Sequence, residues 1–150
     1  MKIFTKDLIC CQYYALDKKS CLYEMTELLE KQGVVTSADA FFKEIMEREK
    51  LMSTGIGRGV AMPHARTSSA QDLKVAVYLL DNELEFEAID GEPVKIIFMI
   101  AVPESLKELY MRIMSAIANF FRSEENRSKV LNCSSVDELY EILEGIKYEV

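Results

Sequence analysis

The chain carries one histidine, His64, at the end of the run STGIGRGVAMPHAR over residues 53–66. Three glycines precede it, Gly55, Gly57 and Gly59, and Pro63 stands directly before it. Glycine lets backbone amides approach an anion closely, and proline fixes the chain entering the imidazole while holding Met62 extended. The GxGxG spacing is neither the dinucleotide fingerprint nor a Walker loop, which needs Lys-Ser/Thr after its last glycine. A metal centre needs three or four ligands, and one histidine with scattered cysteines does not supply them. No GxSxG elbow is present for a serine hydrolase. What remains is the imidazole as a nucleophile: with one nitrogen's proton held by a fixed acceptor, the other can attack phosphorus to give a labile phosphoramidate. A structural histidine on a loop is the alternative reading of the same residue.

The charge distribution fits an anion site at this place, or a glycine-rich loop that simply lacks room for acids. The chain is −7 overall, yet residues 50–71 contain no acid and three cations, Lys50, Arg58 and Arg66. An acidic chain repels a phosphate backbone, so nucleic-acid binding is excluded as a main activity. The cysteines Cys10, Cys11, Cys21 and Cys133 form no CxxC pair. Adjacent Cys10 and Cys11 would face opposite sides of a strand, so reduced, buried thiols are expected. No window reaches the ~18–20 apolar residues of a membrane span, and the first residues lack a signal-peptide core. No membrane insertion and a cytoplasmic location are therefore expected.

The elements that position the histidine follow from periodicity. Residues 1–150 show no repeat or linker and read as one domain. Ser20 is the expected cap of a first helix bearing Leu22, Met25, Leu28 and Leu29, stopped by Gly33. A second helix starts at Thr36 or Ser37, buries Phe41, Phe42, Ile45 and Met46, and ends near Lys50. Residues 60–62 read as a short strand. Residues 73–80 and 94–101 are near-continuous Val/Ile-rich runs, expected as central strands covered on both faces, with an Asp90-Gly91 turn between them. Leu106, Leu109, Tyr110, Ile113, Ile117 and Phe121 mark a long amphipathic helix. A short helix over 124–131 and a last one capped by Ser135 and Glu138 complete the chain. Helices alternating with buried strands predict an α/β three-layer sandwich, a mainly parallel or mixed sheet with helices on both faces.

Arg48-Glu49, the 53–66 run, FEAIDGEPVKIIFMIAVPE over 86–104 and DELYEIL over 137–143 together resemble the enzyme IIA component of the bacterial sugar phosphotransferase system. The type is the mannitol/fructose one, which includes the nitrogen-regulatory IIA proteins, and the likeness covers nearly the whole chain. The resemblance implies an α/β sandwich and phosphorylation of His64 on Nε2 by the phosphocarrier HPr. It implies onward transfer to a IIB cysteine, for a fructose-class sugar, without cofactor or metal. A nitrogen-type regulatory protein, whose phosphorylation controls binding to a target protein, is the alternative; a carrier that is never phosphorylated is a second.

The family's arginine falls on Arg48, implied to hold phosphoryl oxygens bidentately; a solvated helix end is its other reading. Ser53 and Thr54 could donate to phosphate or merely cap the loop. Arg58 and Arg66 are assigned to docking or solubility. Many members carry a second histidine on the helix after the VPE segment; Tyr110 holds that place here, either as a hydroxyl donor to the phosphoryl group or as a core residue.

Overall fold

The computed structural model describes residues 2–148. Six strands form one mixed sheet: β1 (Ile9–Tyr13), β2 (Gly55–Gly57), β3 (Val60–Ala61), β4 (His64–Thr67), β5 (Lys74–Leu84) and β6 (Val94–Pro103). Five α-helices surround it: α1 (Lys18–Lys31), α2 (Ala38–Leu51), α3 (Lys107–Phe120), α4 (Glu124–Leu131) and α5 (Val136–Glu144). The two apolar runs are the sheet's centre, as expected: β5 pairs antiparallel with β6 on one side and parallel with β1 on the other. β6 takes β3 and then β4 along its far side, both parallel, and β2 closes that edge against β3.

Period-two alternation on the central strands feeds two cores. Val75, Val77 and Leu79 with Ile96, Phe98, Ile100 and Val102 pack beneath Leu109, Ile113 and Ile117 of α3 and Leu139 and Leu143 of α5. Ala76, Tyr78 and Leu80 with Ile97, Met99 and Ala101 pack beneath Leu22, Met25 and Leu29 of α1 and Phe41 and Ile45 of α2. Each large side chain removed from water contributes roughly 1.5–3 kcal/mol, and these two faces hold the sheet rigid under the site.

Local signals set the boundaries. Ser37 caps α2 by accepting the Ala40 amide, and Ser135 caps α5 by accepting that of Glu138. Gly33 follows α1 at φ +76°. The cap of α1 is Asp17 rather than Ser20: its carboxylate accepts the Ser20 amide at 2.7 Å, so the helix starts earlier than the serine alone indicated. Cys10 and Cys11 lie on β1 and do pack toward opposite cores, but both are half-buried because β1 is an edge; Cys21 and Cys133 are buried, and all four are free thiols. No helix among the described residues is long and apolar enough to cross a membrane.

Candidate functional site

β3 and β4 are two halves of one lane alongside β6, with Val60 and Ala61 opposite Ile96 and Ile97, and His64 opposite Ile100. Met62 and Pro63 interrupt the lane. Proline has no N–H to contribute, but its carbonyl accepts the Ile100 amide at 2.9 Å, so the chain stays tied to β6 through the break. The released Met62 carbonyl then lies 2.8 Å from His64 Nδ1. A carbonyl oxygen only accepts, so Nδ1 carries the proton and the neutral ring keeps its lone pair on Nε2.

His64 lines a cleft of about 750 Å3 to which three elements each give one face. α2 presents Glu44, Glu47, Arg48 and Leu51, an i, i+3, i+4, i+7 stripe at its C-terminal end. The start of α3 presents Lys107, Tyr110 and Met111 at the same kind of spacing, preceded by Glu104. β4 gives His64, Ala65 and Arg66. Leu51 and Met111, 79% and 55% exposed, put apolar surface at the rim.

His64 as a whole is only 7% exposed. Burial pushes its pKa below the ordinary value of 6.5; the bond to Met62 pulls the other way, Arg48 adds to the depression and Glu49 opposes it. The ring is therefore neutral at pH 7. Because the folded pKa lies under the unfolded one, His64 stabilises the fold above pH 6.5, and that contribution is lost as pH falls through the folded value. With a single histidine, one imidazole resonance reports the titration: its midpoint should lie below 6.5. Unfolding free energy should fall, by at most about 1.4 kcal/mol per pH unit, only between the two values. A midpoint at or above 6.5 would contradict the burial account.

Tyr110 stacks obliquely on His64, ring centroids 5.0 Å apart at 41°. It is half-buried, packs against the α3 core and lines the cleft, so both readings of it describe its surroundings. Burial raises its pKa while Arg48 and Arg66 lower it, with burial dominant, which leaves the hydroxyl protonated and able to donate. Arg48 is exposed in the last turn of α2, where a cation also suits the helix end, and it stands in the cleft.

The glycine run is placed elsewhere. Gly55, Gly57 and Gly59 build the β2–β3 hairpin and are not among the residues lining the cleft. A Cβ on Gly55 would come within 2.8 Å of the Ala88 Cβ, so glycine is needed there for close packing rather than for an anion. Gly57, at φ +99°, faces the Asp90 carboxylate, which accepts the Arg58 and Glu92 amides and ties the hairpin to the β5–β6 connection. The Gly59 carbonyl accepts the amides of Lys95 and Ile96. Ser53 is used in loop capping: its hydroxyl donates to the Phe86 carbonyl at 2.7 Å and accepts the Gly55 amide. Thr54 Oγ1, by contrast, is buried without a hydrogen-bond partner. It too is not a lining residue.

Sequence reasoning set Arg66 aside, yet it lines the cleft. Residues two apart on a strand share a face, so recognising β4 would have placed Arg66 beside His64. Glu44 and Lys107 stand at helical spacing from Arg48 and Tyr110, the signal that places them in the cleft, whereas Glu47 and Glu104 lie outside that spacing.

Comparison with known proteins agrees with this architecture. Residues 2–146 match the family model described as "Phosphoenolpyruvate-dependent sugar phosphotransferase system, EIIA 2". The chain is 30% identical over 142 residues to the fructose-specific EIIABC component of Bacillus subtilis, covering 95% of this chain but only 22% of that protein. The crystal structure of nitrogen regulatory protein IIA-Ntr from Neisseria meningitidis superposes with a TM-score of 0.88 at 32% identity, covering 94% of this chain and 96% of that one. Enzyme IIA of the mannitol system from Escherichia coli, solved in complex with phosphorylated enzyme IIB, gives a TM-score of 0.82 at 21% identity over 95% of this chain and 97% of that one, a likeness of fold. The chain belongs to the EIIA type-2 family of the phosphoenolpyruvate-dependent sugar phosphotransferase system.

Proposed function

We propose that His64 is the phosphoryl acceptor, attacking through Nε2 and holding the group as a phosphoramidate until a second protein takes it. The observation that carries this is the fixed tautomer: the Met62 carbonyl holds the Nδ1 proton and leaves a neutral nucleophile in a cleft bearing Arg48, Arg66 and Lys107. As phosphorus is attacked, charge spreads onto the equatorial oxygens, where the guanidinium groups lining the cleft can donate to it. Arg48 is proposed as the bidentate donor and Tyr110 as a neutral one. Thr54, with its unpaired hydroxyl, is retained as a lesser candidate. Ser53, Gly55, Gly57 and Gly59 act in this reading by shaping the loop.

The proposed donor is an HPr-type phosphocarrier and the acceptor a IIB cysteine serving a fructose-class sugar, with residues 1–150 acting as one domain in the cytoplasm. The Bacillus fructose component supports the sugar. The IIA-Ntr neighbour, closer over its whole length, supports the second reading, a regulatory protein whose partner binding depends on phosphorylation. The transfer is proposed to need no metal, since Arg48, Arg66 and Lys107 of the cleft supply the counter-charge. Purified phospho-HPr should give one acid-labile phosphate per chain, at a rate unchanged by chelator. Absence of that phosphate overturns the carrier reading, and abolition by chelator overturns the metal-free step.

A further inference from the structure

Beneath the cleft lies a second set of polar groups. Arg48 and Glu49 are neighbours on α2, about 100° apart around the helix axis, so Arg48 stands in the cleft while Glu49 turns inward. The Glu49 side chain is 3% exposed and pairs with Lys18 Nζ at 2.8 Å. Both of its oxygens lie 3.2 Å from the Thr54 amide, which donates to them. The Thr54 carbonyl accepts the Met62 amide at 3.0 Å, and the Met62 carbonyl accepts the hydrogen bond that His64 Nδ1–H donates. Lys18 is held in turn by the Phe86 carbonyl at 3.3 Å and by the face of the Phe86 ring, 4.2 Å from its centroid. An unbroken series of contacts thus runs from α1 through α2 and the loop to the imidazole.

Stability alone gives little reason for this pair. Two charges withdrawn from water rarely gain more than apolar residues of the same volume would. Glu49 does something an apolar residue cannot: it fixes the residue whose carbonyl fixes Met62.

We propose that Glu49 is a positioning residue for His64, holding Thr54 so that the Met62 carbonyl stays where it captures the Nδ1 proton. The proposal rests on His64 acting through Nε2, as argued above, but its test does not require phosphate. Long-range 15N–1H spectra at pH 8 read the ratio of the two neutral tautomers, and the only imidazole in the chain is His64. The native ring should be overwhelmingly Nδ1–H. Glu49→Ala should move the ratio about fivefold toward Nε2–H, the effect of weakening one hydrogen bond. Glu49→Gln, which keeps an acceptor for the Thr54 amide, should restore the native ratio.

Should Glu49→Ala fail to fold, the double variant Lys18→Met with Glu49→Met decides the matter, since it exchanges the buried pair for apolar volume and still removes the acceptor. A folded variant lacking the acceptor but showing the native ratio overturns the proposal. A shifted ratio in a chain whose native form takes no phosphate supports the positioning role and fails only the carrier reading.

Discussion

His64→Ala is expected to take no acid-labile phosphate from phospho-HPr, against one per chain for the native protein. The expected loss is complete because the chain offers no second imidazole and Tyr110 fills the neighbouring position. Alanine also empties a buried site beside Tyr110, so His64→Gln is the better-packed control. Its amide can still donate to the Met62 carbonyl, yet it cannot carry phosphate. Both variants should retain the native circular dichroism spectrum while losing the label. Label surviving in a folded His64→Gln chain would place the phosphate on another residue and end the assignment.

Arg48→Ala is expected to slow transfer from phospho-HPr by about a hundredfold, and Arg48→Lys by about tenfold. The first removes both charge and the planar fork, while the second keeps the charge but loses bidentate geometry; a preorganised donor at the reacting group is worth ~10²–10³ in rate. Arg48 also depresses the His64 pKa, so its removal raises that value. Measurement at pH 8 keeps the ring neutral in every variant and separates the contact from the titration. The residue is exposed, and the fold should lose no more than a helix-end charge contributes, roughly 0.3–1 kcal/mol. Equal rates for native and Arg48→Ala chains would leave Arg48 as a helix-end cation.

The parts of the fold legible in the sequence were those whose burial writes a long pattern. Residues 75–80 of β5 and 96–102 of β6 are unbroken apolar runs because both faces are covered, and α2 and α5 carry both a stripe and a serine cap, whereas α3 carries a stripe alone. β2 and β4 were not legible: three or four residues rich in Gly, or containing His and Arg, have no strand signature, and only pairing with a neighbour makes them strands. The site followed the same division. His64 and Arg48 were reached through motif and resemblance. Loop chemistry predicts an anion cradle from the glycines, whereas Gly55 is small to admit Ala88 and Gly57 to face Asp90. Lys18 and Glu49 become partners only once α1 and α2 are packed on the sheet, and nothing in their local sequence announces that.

The depth of His64 also governs the order of events. In the proposed transfer, a residue 7% exposed in a cleft between α2 and α3 admits one reacting group at a time, so donor and acceptor proteins are expected to engage it in turn. A carrier built this way works by alternation: the first complex must dissociate before the second forms, and kinetics with two proteins should show the parallel double-reciprocal lines of a substituted-enzyme scheme. Throughput is then capped by how quickly each partner leaves. Tight binding at the cleft rim would be a handicap, and weak, rapidly exchanging contacts at Leu51 and Met111 are what this geometry favours.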